Sequence, residues 1–130
     1  MTEEELRRDQ AGRWLAESMK DLRAAELLVA GEPSRSLFHS QQAAEKAAKA
    51  FLVFHNAPFR KTHDLEELRE QCAALNPSLS DLLAEADQLT DYASAFRYPD
   101  APYVPDQEEA AGALTLARRV HDEIKRLLES

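Results

Sequence analysis

Glycine occurs only three times in the 130 residues, cysteine once, and aromatic residues make up 7% of the chain. Without a glycine-rich stretch there is no phosphate-cradling loop, and no alternating strand pattern competes with helical spacing. The lone Cys72 excludes an internal disulfide and a cysteine-based metal site, which fits a reducing compartment. No apolar run approaches the ~20 residues of a membrane span. The start, Met1-Thr2-Glu3-Glu4-Glu5, is acidic where a secretory signal would be basic, so no membrane association and a cytoplasmic location are expected. A His-Glu-x-x-His zinc helix and a Gly-x-Ser-x-Gly elbow are also missing, and no serine, base and acid stand out as a trio. Neither a metal nor a cofactor is expected.

Positive charge is scarce as well. The net charge of −8 argues against sequence-independent nucleic-acid binding, which depends on Lys and Arg neutralising phosphates. Its distribution is uneven, because residues 33–63 hold Arg35, Lys46, Lys49, Arg60 and Lys61 against the single carboxylate Glu45. The same segment contains His39, His55 and His63. It reads either as a local anion site or as a solvated basic surface.

What the chain does have is helical periodicity, punctuated by Pro33, Pro58, Pro77, Pro99, Pro102 and Pro105. Leu15, Met19, Leu22 and Val29 predict a first helix from about Asp9 to Ala30, with Gly31 as its stop. Ser34 is the expected N-cap of a second helix running to His55, before Asn56-Ala57-Pro58 breaks it. A third begins near His63-Asp64 with Asp64 and Glu67 as a capping box, buries Leu65, Leu68 and Cys72 or Ala73, and ends before Asn76-Pro77. Ser78 or Ser80 would cap a fourth, whose stripe of Leu79, Leu82, Leu83, Ala86, Leu89, Ala93 and Phe96 reaches Arg97. Asp106 and Glu109 would cap a last helix with the stripe Ala110, Leu114, Ala117, Val120, Ile124 and Leu127. The expected fold is all-α, an antiparallel up-and-down bundle of about five helices, forming one domain over residues 1–130.

The second helix carries the conflict that points to a site. Ser40, Ala43, Ala44, Ala47, Ala48, Ala50, Phe51 and Phe54 make one broad apolar arc, while Gln41, Gln42, Glu45, Lys46 and Lys49 share the other with Phe38, Leu52 and Val53. Glu45 and Lys49 lie one turn apart, ~6 Å along the axis, in reach of an ion pair. If covered, that pair needs further partners, and Lys61, His63 and Arg97 are the candidates. His63 reads as an N-cap, as a solvated loop histidine or as a ligand group. Arg97 reads as a helix C-terminal cation or, beside Lys49, as a planar fork for a phosphate, with Tyr98 or Tyr103 offering a face to a base.

Three blocks in order, Phe38 to Ala50, Lys61-Thr62-His63-Asp64-Leu65 and Phe96-Arg97-Tyr98-Pro99-Asp100, resemble the HEPN family, named for higher eukaryotes and prokaryotes nucleotide-binding. Trp14 with Leu22 and Ala25 is similar to the family's first helix. The resemblance implies a homodimer and a partner, a minimal nucleotidyltransferase protein, in toxin–antitoxin fashion. It also implies a ligand set of Gln42, Glu45, Lys49, His63, Arg97, Tyr98 and Asp100 for a nucleotide or RNA phosphate. Many HEPN proteins are metal-independent ribonucleases that use an Arg followed, after four to six residues, by His. Here Arg97 is followed by no such histidine, and Arg35 to His39, Arg60 to His63 and Arg118 to His121 are all too short. The leading expectation is therefore a non-catalytic binding module. Two alternatives stand beside it: a divergent ribonuclease or toxin with His63 and Arg97 as catalytic groups, and a purely structural oligomerisation module.

Overall fold

A computed structural model gives the fold for residues 1–61, 64–88 and 104–129. Among these residues there are five α-helices: α1 (Glu3–Leu28), α2 (Pro33–Phe54), α3 (Leu65–Leu75), α4 (Ser80–Ala86) and α5 (Gln107–Glu129). A 3-10 turn, Pro77–Leu79, leads directly into α4. The fold is all-α, and none of the described helices is long and apolar enough to cross a membrane.

α2 is the central element and packs on α1, α3 and α5. Its alanines make this possible. Ala43, Ala44, Ala47, Ala48 and Ala50 are all fully buried and let neighbouring backbones approach closely. α1 runs antiparallel to it, since Ser36 Oγ donates to the Ala25 carbonyl at 2.7 Å and Ser18 Oγ to the Ala43 carbonyl at 2.8 Å. The main core joins Leu37, Phe51 and Leu52 of α2 to Leu65, Leu68 and Cys72 of α3 and to Val120 and Ile124 of α5. Cys72 points its thiol at the Ala48 carbonyl, 3.7 Å away, and burial pushes its pKa up to about 12.

The helix ends differ from expectation where backbone geometry decides. α1 starts at Glu3 rather than near Asp9, because Thr2 Oγ1 accepts from the Glu5 N–H at 3.1 Å and Glu3, Glu4 and Glu5 oppose the helix dipole. It ends at Leu28, short of Ala30, and Gly31 is no left-handed stop, for no described glycine has positive φ. α2 opens with Pro33 in its first turn rather than with Ser34 as cap; a missing N–H costs nothing there. It closes on Asn56 at φ 55°, with Ala57 N–H donating to Leu52 O at 2.9 Å and Asn56 N–H to Val53 O at 3.0 Å. These are the two bonds of a Schellman motif, and Pro58 follows it.

Asp64 caps α3 through the Glu66 N–H at 3.0 Å, whereas Glu67 turns to Arg60, whose Nε lies 2.7 Å from its carboxylate. Neither Ser78 nor Ser80 caps the fourth helix. The helix runs on directly from the 3-10 turn, with Leu79 at its N-cap and no side-chain cap. It is the turn that Asn76 caps, its Oδ1 accepting from Ser78 N–H at 3.1 Å and from Ser78 Oγ at 2.6 Å. Of the fourth stripe, Leu79, Leu83 and Ala86 are buried, and Leu89, Ala93, Phe96 and the expected end at Arg97 lie outside the described residues. α5 has the capping box, with Glu109 N–H to Asp106 Oδ1 at 2.8 Å and Asp106 N–H to Glu109 Oε1 at 3.4 Å. Its stripe ends on Leu128 rather than Leu127, one full turn after Ile124.

Candidate functional site

Glu45 and Lys49 are 1% and 6% exposed, and the Lys49 ammonium donates to Glu45 Oε1 at 2.9 Å. An ion pair in this position needs more than its own attraction to offset desolvation. Gln41, itself 1% exposed, supplies it by donating through Nε2 to Glu45 Oε2 at 3.0 Å. Gln42 Nε2 in turn donates to Gln41 Oε1 at 2.8 Å. On the other side the ammonium lies 5.5 Å from the centre of the Trp14 ring and 5.8 Å from that of Phe59. These two rings meet edge to face with centroids 6.2 Å apart. The negative ring faces stabilise the cation without taking a hydrogen bond from it.

Of the predicted site residues, Gln42, Glu45 and Lys49 are thus brought into one connected network. His63, Arg97, Tyr98 and Asp100 lie outside the described residues. Lys61, suggested as a further partner of the pair, is exposed. Sequence reasoning missed three members. Gln41 carried a signal, since it sits one turn before Glu45 on the same stripe. Trp14 and Phe59 carried none, because only the packing of α1 and of the α2–α3 connection on α2 brings their rings to Lys49.

Two further polar contacts cross between helices. Asp21 of α1 accepts from Lys46 Nζ at 2.6 Å and pairs with His39 Nδ1 at 2.8 Å. The two lysines that α2 turns toward the bundle therefore each have a carboxylate partner, Lys49 in Glu45 and Lys46 in Asp21, and Asp21 also holds the His39 ring. Elsewhere Ser18 Oγ, having donated its only proton to Ala43 O, lies 3.0 Å from His121 Nδ1 and accepts from it. Nδ1 is thus the ring nitrogen that carries a proton in this contact, which ties α5 to α1.

Burial is the main influence on His121 and lowers its pKa, with Lys125 acting in the same direction and Asp122 opposing it. A depressed folded-state pKa means stability that is fully present above the unfolded value of 6.5 and is lost as pH falls below it. Thermal midpoints measured from pH 7 down to about 5 should fall in the wild type and fall less in His121→Gln. Parallel curves for the two proteins would contradict this assignment.

Among the described residues, no group of three or more His, Cys, Asp or Glu side chains is placed to hold a metal ion. The sequence profile of the HEPN domain matches residues 11–127. The chain belongs to the HEPN family.

Solved structures agree with this HEPN fold. An archaeal HEPN homologue, ST0689, superposes with a TM-score of 0.71 at 23% identity, over 91% of this chain and 97% of its own. TT1696 from Thermus thermophilus gives 0.73 at 28% identity, over 90% and 97%. No curated protein matches the chain. The HEPN profile covers the buried Gln41–Glu45–Lys49 network, Trp14 and Phe59 alike, as well as the Arg97 block.

Proposed function

We propose that this HEPN domain is a non-catalytic binding module: a homodimer that docks a minimal nucleotidyltransferase and holds a nucleotide or RNA phosphate. The observation that carries this reading is the neutralisation of the α2 stripe. Lys49 is sequestered against Glu45, and Lys46 is paired with Asp21. Cations already matched by carboxylates brace a wall; they do not stabilise charge that develops during a reaction. The absence of any arginine followed after four to six residues by histidine supports the same reading.

In this proposal Glu45 and Lys49 position the wall and Gln42 extends it. His63 and Arg97 contact the phosphate, Arg97 through its planar fork. Tyr98 offers a face to the base, and Asp100 completes the set implied by the family block. Titrating the full chain with nucleoside phosphates and short RNA, alone and with the nucleotidyltransferase, tests it. Binding should appear in at least one setting, and Arg97→Glu should weaken it at least ~10-fold, the loss of one charged contact, with little change in thermal midpoint. No binding in either setting removes the ligand; equal loss of binding and stability assigns Arg97 to the fold instead.

A further inference from the structure

α1 is not apolar on its inner side alone. At 3.6 residues per turn, Glu5, Gly12, Ala16 and Arg23 fall within about 40° of one another on its outer face, and all four are exposed. Their order is symmetric about position 14: Gly12 and Ala16 flank it closely, while Glu5 and Arg23 lie equally far out, ~13 Å along the axis. Met1 and Leu27, equally spaced further out, are 86% and 84% exposed.

The chain itself does not call for this arrangement. A glycine inside a helix is less favourable than alanine, yet a Cβ on Gly12 would meet nothing within 4 Å. Neighbouring charges are used within the helix: Arg8 pairs with Glu4, Arg13 with Asp9 and Lys20 with Glu17. The side chains of Glu5 and Arg23 take no such partner among the described residues. Along the same edge runs a groove of about 460 Å³ between α1 and α5, lined in part by Gly12, Ala16, Met19, Phe54 and Leu128.

The geometry points to a second copy of this chain as the occupant, its α1 laid antiparallel on this one across a two-fold axis beside position 14. Gly12 of each copy then meets Ala16 of the other at the closest approach, and Glu5 meets Arg23 twice. A two-fold interface requires that whatever residue i meets, its counterpart meets i in return, and a pattern with small residues at its centre and opposite charges at its ends satisfies that requirement. The inference rests on the homodimer reading above and names its contact surface.

Sedimentation of the full chain over a range of concentrations separates the two. The wild type should dimerise. Arg23→Glu and Glu5→Arg should each raise the dimer dissociation constant about tenfold, as two like-charged pairs replace two opposite ones, and the combined Glu5→Arg/Arg23→Glu chain should return to within about threefold of wild type. Gly12→Leu should give a monomer with unchanged helical circular dichroism. A monomeric wild type overturns the homodimer reading and this contact with it. A wild-type dimer indifferent to Arg23→Glu and Gly12→Leu overturns this contact and leaves the homodimer reading standing.

Discussion

Glu45→Ala is expected to lower the free energy of unfolding by about 3–5 kcal/mol, the cost of leaving one member of a buried ion pair without its partner. The Lys49 ammonium is 6% exposed and loses the carboxylate 2.9 Å away, while the Gln41 amide loses its acceptor at 3.0 Å. The Trp14 and Phe59 rings remain and offset part of the loss, about 0.5–2 kcal/mol for a desolvated cation over an aromatic face. Lys49→Met should cost less, because Glu45 keeps the Gln41 amide. Replacing both with apolar groups, Glu45→Leu/Lys49→Met, should recover most of the loss, since both charges' desolvation penalties vanish together, and leave about 1–3 kcal/mol for the Gln41 amide without its acceptor. Urea denaturation of these proteins together with Glu45→Leu gives the full cycle of wild type, Glu45→Leu, Lys49→Met and Glu45→Leu/Lys49→Met. A loss of only ~0.3–0.5 kcal/mol in Glu45→Ala, the value of an exposed helix pair, would show that burial adds nothing here.

The second large effect belongs to the core beneath the same helix. Phe51→Ala should cost about 3–5 kcal/mol, combining lost transfer energy with the cavity left behind. Phe51 is 1% exposed, sits in the main cluster and packs against the His55 ring at a tilt of 55° with centroids 4.5 Å apart. The alanines around it on α2 set the result near the upper end. Ala47, Ala48 and Ala50 are too short to swing into a void, and the helices they bring together are already in contact, so the site cannot collapse. Denaturation midpoints at unchanged dependence on denaturant measure it. A cost below ~1.5 kcal/mol, typical of volume-conserving changes, would mean that the core repacks.

These two residues also show how much of the molecule the sequence alone makes visible. Periodicity placed Phe51 on the buried arc and Glu45 and Lys49 on one stripe, because spacing within a helix is a local property. The Asp106–Glu109 box was legible for the same reason: both arms lie within one turn. What escaped was set by packing or by competition. The Glu67 carboxylate was claimed by Arg60. Thr2 extended α1 into a stretch with no apolar residue before Leu6 beyond Met1. Ser18 and His121 meet across 103 positions, and Trp14 and Phe59 reach Lys49 from separate elements. No spacing rule connects such residues. The helix face that carries Gln42, Glu45 and Lys49 was therefore legible, but not the neutralised network with its aromatic wall.

A HEPN domain that binds without cutting should leave its RNA whole. A gel-shift titration of labelled short RNA with the full chain and the proposed nucleotidyltransferase partner, in chelator, reads both mobility and fragment length. Retarded RNA of intact length is expected, with retardation lost in Arg97→Glu. Shortened RNA whose appearance depends on His63 or Arg97 would contradict the binding-only reading.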